Sequence, residues 1–165
     1  DPVIIAPDVY EAMAERPPAD PSEHPVSRRR NVWESAGQMA AHFSDRVPYA
    51  SWDRSVLDDY CQYGLLPAAD GSFELACPPA LEASAYLGAG FSSPYEWRDD
   101  VKAPTTVLRG RNGERASPMD FSISPTNPAL ASLLPNGTDI QWTEHSHFIP
   151  MEAPQRTADL IAALL

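Results

Sequence analysis

Two imidazoles lie two residues apart in the segment Glu144-His-Ser-His-Phe-Ile-Pro-Met-Glu-Ala-Pro154. Imidazole is the side chain that changes charge near neutral pH, so it can take a proton from a hydroxyl and later return it to a leaving group. Alternate residues of an extended backbone share a side, so His145 and His147 would face the same way, with Glu144 adjacent, as metal ligands sometimes do. No third ligand stands at a usable spacing, so neither a metal nor a cofactor is expected. The two cysteines, Cys61 and Cys77, match no paired metal knuckle and are too few for a disulfide framework. Arg28-Arg29-Arg30 reads as a solvated or salt-bridged helix entrance in an acidic chain, and Asn136-Gly137-Thr138 fits a glycosylation acceptor pattern that matters only for a secreted protein.

These residues need elements to position them. From Val101 onward the pattern alternates strand and helix. Pro104 to Arg109 is a strand rich in β-branched residues, broken at Gly110, and Asn112-Gly113 is a turn dipeptide. Pro125 to Leu134 reads as a helix, Pro135-Asn136-Gly137 as a turn, Asp139 to Thr143 as a second strand and Glu152 to Leu165 as a closing helix. The stretch from Pro7 to about Arg98 reads as mostly helical. A first helix runs from Pro7 to Glu15, ended by Arg16-Pro17-Pro18, and Ala19 to Val26 is a loop. Helices follow at Asn31 to Phe43 and at Asp53 to Tyr63, the latter with Gly64 where a left-handed cap belongs. Asp70-Gly71 is a turn ahead of a short extended piece, Phe73 to Ala76, and Pro79 to Leu87 is a helix closed by Gly88 and Gly90.

Composition bounds the function classes. The 165 residues carry 12 Lys and Arg against 23 Asp and Glu, a net charge of −11 that repels phosphate backbones and anionic membranes, so no nucleic-acid partner is expected. No apolar run approaches the roughly 20 residues needed to span a bilayer, and no signal peptide is visible. A soluble protein is expected, cytoplasm being favoured over secretion. The start at Asp1 without a Met, running into Pro-Val-Ile-Ile, reads as a strand caught at its end, with either natural processing or an arbitrary cut behind it. A parallel sheet buries both faces and holds about five or six strands. Two strands plus a remnant at Val3 to Ile5 fall short of that, so another polypeptide is expected to complete the sheet. Alone, the chain should aggregate or associate with itself.

His147-Phe-Ile-Pro-Met-Glu-Ala-Pro154 resembles, position by position, the catalytic-histidine loop of the α/β-hydrolase family, written as His-Phe, two residues, Glu, one residue, Pro. Pro104-Thr-Thr-Val-Leu-Arg-Gly110 is similar to that family's penultimate strand, and residues 7–98 look like its helical cap. The resemblance implies an α/β fold class, the C-terminal part of an α/β-hydrolase core, with residues 1–6 ending a core strand, 7–98 a mostly helical cap and 99–165 the remaining core. It implies His147 as the general base and, as its acid, Glu114, four residues after Gly110. In some members the acid follows the earlier strand, where Asp1 stands, so Asp1 is the alternative. The family's Gly-x-Ser-x-Gly nucleophile elbow has no counterpart in this sequence. The nucleophile and the oxyanion hole are therefore expected on a separate N-terminal half.

The function implied is hydrolysis of an ester, lactone or related bond in a small-molecule substrate, through an acyl-enzyme. A serine hydroxyl is a weak nucleophile at neutral pH and needs an adjacent imidazole, which in turn needs a carboxylate to fix its tautomer. Trp33, Trp52 and Phe148 are the candidate substrate-binding residues, although aromatics at helical spacing more often serve a core. Two other readings stay open: a non-catalytic binding module on the same fold, and dehalogenase or epoxide-hydrolase chemistry with an Asp nucleophile.

Overall fold

The computed structural model describes residues 1–17, 19–89 and 92–164. In chain order the regular elements are α1 (Pro7–Ala14), β1 (Val32–Trp33), α2 (Ala36–Phe43), α3 (Arg54–Tyr63), β2 (Leu65–Pro67) and β3 (Phe73–Leu75). They continue with α4 (Pro79–Gly88), β4 (Thr105–Arg109), β5 (Gly137–Gln141), α5 (Ile149–Glu152) and α6 (Pro154–Leu164). None of the described helices is long and apolar enough to cross a membrane. The chain divides into two compact units, one of Asp1–Ala12 with Ser93–Leu165 and one of Met13–Ser92.

The unit of Met13–Ser92 is built around a small antiparallel sheet that sequence patterning shows only in part. β3 pairs with β2 across the Asp70-Gly71 turn and, on its other side, with β1, Val32 standing opposite Glu74. The expected helix from Asn31 therefore starts later. Val32 and Trp33 join the sheet, and α2 begins only after Ser35, whose hydroxyl accepts from Gln38 N at 3.0 Å and so satisfies one of the orphan donors of a helix start. Asp53 does the same for α3 through Ser55 N at 2.9 Å. Trp33, Met39, Ala40, Leu57, Cys61, Leu65 and Leu75 form the core.

Gly64 ends α3, but at φ −82°, not in the left-handed region. A Cβ there would lie 2.5 Å from Tyr60 O, so close approach is what excludes a larger residue. The expected loop over Ala19 to Val26 contains 3-10 turns at Pro21–Glu23 and Pro25–Arg28, capped by the side chains of Asp20 and His24. α1 stops at Ala14, and α4 ends at Gly88. Pro18 and Gly90, expected as a helix breaker and a helix closure, lie outside the described residues.

The other unit holds β4 and β5, parallel to each other with Val107 opposite Asp139. β5 starts two residues before its expected position because Gly137 already stands opposite Thr105. The connection between the strands is mostly irregular. The expected helix from Pro125 is reduced to one 3-10 turn at Ala131–Leu133, since Pro125 and Pro128 lack amide donors and Asn127 is committed elsewhere. Asn127 N donates to Ile4 O at 2.8 Å, and its Nδ2 donates at 2.9 Å to Tyr95 Oη, which itself donates to Ile5 O at 2.9 Å. Residues 1–6, expected as a strand end, make no strand ladder and are held by such bonds instead. Tyr10, Tyr95, Val107, Leu130 and Ala131 form this core. The expected final helix is α6, preceded by the short α5, and the chain turns out of the helical region between them at Ala153 ahead of Pro154; Leu165 lies outside the described residues.

Candidate active site

The loop that leaves β4 and the loop that leaves β5 run side by side. Arg111 N donates to His145 O at 2.8 Å, and the Arg111 guanidinium reaches back to Thr143 O and Glu144 O. Gly110 makes the approach possible, since a Cβ on it would sit 2.4 Å from Ser146 O. Just before it, Arg109 is buried and paired side-on with Asp139, at 2.7 and 2.8 Å, while its remaining nitrogen donates to Asn112 Oδ1 at 2.8 Å. A guanidinium held by both strands in this way fixes where β4 ends and its loop begins.

His147 sits at the meeting point. Its backbone N–H donates to Phe121 O at 3.1 Å, and its ring lies 5.0 Å from the Phe121 ring and 5.1 Å from the Phe148 ring. The ring Nδ1 is buried and makes no hydrogen bond. The nearest carboxylate is Asp1, whose Oδ1 is 3.8 Å from that nitrogen and whose side chain is completely buried. Gly110 N donates to Asp1 Oδ2 at 2.9 Å, Ser124 Oγ donates to Oδ1 at 2.9 Å, and Thr126 Oγ1 also reaches Oδ1. At 3.8 Å the contact is longer than a hydrogen bond, and a movement of about 1 Å brings it within reach. Burial, with the positive charge of Arg115 as a lesser cause, pushes His147 down from 6.5 to about 4. The ring is therefore neutral at pH 7, the form that can accept a proton.

The expected contact from Glu114 is not made. Ser124 N donates to Arg111 O at 2.8 Å, which folds the loop back on itself, and Glu114 is left exposed on its outside with no ion pair to His147. Of the two candidate carboxylates, it is Asp1 that the fold brings to the ring. Phe148 lies beside His147. Trp33 belongs to the other unit and is 1% exposed, packed against Phe43 and His42 beneath the Arg30 guanidinium, so it has no surface to offer a ligand. Trp52 is half-buried against Tyr49 and Tyr60 in the same unit.

His145 is engaged differently from His147. Its Nδ1 is 3.2 Å from Glu152 Oε2, which also accepts from Ser146 N at 3.0 Å, while Ser146 Oγ bonds the other Glu152 oxygen. The glutamate of the histidine motif thus ties down the two residues before His147. Among the described residues no group of three or more His, Cys, Asp or Glu has the geometry to hold a metal. Sequence reasoning missed Ser124 and Thr126, the hydroxyls on Asp1. Their signal is faint, two hydroxyl residues at alternate positions of Ser124-Pro-Thr126, a segment whose proline invites a helix-start reading instead.

Beside Asp1, within the same unit, lies a cavity of about 390 Å³ lined by Ile4, Tyr95, the exposed side of β4, Leu130 and Leu134. Its walls are mostly apolar, and the Asp1 backbone forms one edge.

No family model and no curated protein sequence matches the chain. A solved structure does: the crystal structure of an E-2-(acetamidomethylene)succinate hydrolase superposes with a TM-score of 0.61 at 17% identity, covering 96% of this chain and 52% of its own. The likeness establishes an α/β-hydrolase fold. This chain spans about half the length of that neighbour.

Proposed function

We propose that this chain is the C-terminal part of a hydrolase that cleaves an ester, lactone or related bond through an acyl-enzyme, with His147 as general base and Asp1 as its acid. The observation that carries the reading is the buried Asp1 carboxylate 3.8 Å from a His147 Nδ1 that makes no hydrogen bond. The solved neighbour, a hydrolase by name, supports the reaction class. The nucleophile and oxyanion hole are assigned to a separate N-terminal half, because this chain contains no Gly-x-Ser-x-Gly and spans only half of its neighbour.

With Nδ1 turned toward Asp1, Nε2 is the atom left to receive the nucleophile's proton. The hydroxyl oxygen then attacks the carbonyl, and the imidazolium, stabilised by Asp1, returns the proton to the departing alkoxide. In the second half Nε2 takes a proton from water, the resulting hydroxide attacks the acyl-enzyme, and the nucleophile recovers its proton. Glu114 has no part in this scheme and gives way to Asp1.

The test uses the assembled protein, this chain together with the sequence that carries its nucleophile. His147→Ala should remove most hydrolysis of an activated ester, and His145→Ala should cost little. A fluorophosphonate probe should label a serine outside this chain. An assembled protein that takes no label and turns over no ester would favour a binding module. Equal losses at both histidines would sink the assignment of His147.

A further inference from the structure

We propose that Ser124 and Thr126 are positioning residues, a pair of buried hydroxyls that keep the Asp1 carboxylate ionised and aimed at His147. The proposal rests on the reading of Asp1 as the acid. Among the described residues the polar and charged ones buried as whole residues are Arg109, Ser124 and Thr126, and the last two converge on one carboxylate. A carboxylate with no solvent exposure must have donors or give up its charge. Gly110 N serves Oδ2, while both hydroxyls serve Oδ1, the oxygen that faces His147 Nδ1.

The geometry also orients the protons. Ser124 Oγ accepts from Thr126 N at 3.3 Å, which leaves its own hydrogen directed to Asp1. Thr126 Oγ1 lies between Asp1 Oδ1 and the Pro2 carbonyl, so it holds the side chain and the backbone of this irregular segment at once. The only rotatable bonds between the Asp1 backbone and its carboxylate are thereby fixed from outside the segment, as a preorganised site requires. Besides the Asp1 carboxylate at 3.8 Å, the charge that faces His147 is that of Arg115, and neither hydroxyl alters it.

Steady-state kinetics of the assembled protein on an activated ester, from pH 3 to 9, test the proposal. Hydrogen bonds to a charged group are worth enough that Ser124→Ala should lower kcat on the order of tenfold, and Ser124→Ala with Thr126→Val on the order of a hundredfold. KM should stay within about twofold, because the hydroxyls sit behind the acid and not in the substrate's path. The acid limb of kcat/KM should move to higher pH, since a carboxylate stripped of donors holds its proton more tightly. Thr126→Ser keeps the hydroxyl and should recover most of the loss that Thr126→Val causes. Should the alanine variant fail to assemble, Ser124→Cys keeps the volume with a weaker donor and should move kcat and the limb the same way by less. Variants that lower only the melting temperature, with kcat and the acid limb unmoved, overturn the positioning role. If Asp1→Asn itself leaves kcat intact, the failure belongs to the acid assignment; if Asp1→Asn abolishes turnover while the hydroxyl variants do nothing, it belongs to this proposal alone.

Discussion

Replacing Asp1 with Asn probes the candidate site most directly, and its effect can be worked out from the surroundings of the carboxylate. Asp1 presents oxygens to three donors, Gly110 N at 2.9 Å, Ser124 Oγ at 2.9 Å and Thr126 Oγ1, and faces the His147 ring nitrogen at 3.8 Å. An amide in the same place offers one oxygen and one NH2 group. If the NH2 replaces Oδ2 it meets the Gly110 N–H; if it replaces Oδ1 it meets the two hydroxyls, which can rotate, and His147 Nδ1. The second orientation is the less costly for folding, and it turns a donor toward the imidazole. The ring then presents a lone pair on Nδ1 and its proton on Nε2, the reverse of what a general base requires. The loss of tautomer control and of imidazolium stabilisation should lower kcat on the order of 10⁴-fold, about 5 kcal/mol in the barrier, with KM little changed. The rotating hydroxyls keep the stability cost to about 1–3 kcal/mol. Glu114→Gln, on an exposed loop, should change neither kcat nor stability by more than about 0.5 kcal/mol. The assay is initial-rate hydrolysis of a p-nitrophenyl ester by the assembled protein, with denaturant melts in parallel. If Asp1→Asn keeps kcat within threefold of the parent while Glu114→Gln removes it, the reasoning from burial and proximity is refuted.

The depressed His147 value makes stability depend on pH: the folded state holds the ring neutral down to about 4 and the unfolded chain only to 6.5, so stability is fully present above pH 6.5 and falls as pH drops toward 4, by up to about 3 kcal/mol. Denaturant midpoints between pH 8 and 4 should show this fall in the parent and a shallower one in His147→Gln. Gly110→Ala places a methyl 2.4 Å from Ser146 O, a backbone atom that cannot step aside, so the β4 and β5 loops must separate, at a cost of about 1–3 kcal/mol read from the melting temperature. Because Gly110 N also serves Asp1, that variant should lose turnover as well. Arg109→Met leaves Asp139 unpaired in the middle of β5; with the carboxylate partly solvated the cost should be about 1–3 kcal/mol, measured by chemical denaturation.

The sequence carried the fold class, and of its two candidate carboxylates the structure brings the second-ranked, Asp1, to the His147 ring. β4 was legible because Thr105-Thr-Val-Leu-Arg109 is short, β-branched and bounded by Pro104 and Gly110, and α3 because Asp53 caps an apolar stripe ending at Gly64. His147 was singled out by its flanking motif. The helix at Pro125 was misread because the apolar spacing of Leu130, Leu133 and Leu134 suits a helix, whereas the contacts of Asn127 with Ile4 and Tyr95 are decided by distant parts of the chain. β1 was hidden for the same reason: two residues, Val32 and Trp33, form a strand only because β3 lies beside them. The ranking of Glu114 over Asp1 followed loop spacing, and spacing says nothing of which way a loop folds once Ser124 N has closed on Arg111 O.

The position of Asp1 beside His147 exposes how that pair is held. Asp1 belongs to a segment with no secondary structure of its own, so nothing local fixes its carboxylate. Everything that fixes it comes from later in the chain: Gly110 N, the hydroxyls of Ser124 and Thr126, Asn127 N on Ile4 O and the Tyr95 hydroxyl on Ile5 O. The loop after β4 serves twice, since Gly110 and Arg111 also receive the strand of backbone that carries His147. One loop therefore registers both members of the pair against each other, and the Arg109 guanidinium, clamped between Asp139 and Asn112, anchors that loop to the sheet. A substitution that loosens Arg109 should then spoil the alignment of Asp1 and His147 before it unfolds the unit, so in such variants the loss of kcat should precede the loss of helix and sheet signal as denaturant rises. Coincident loss of both would mean that the loop and the sheet melt as one body, with no separate role for the clamp.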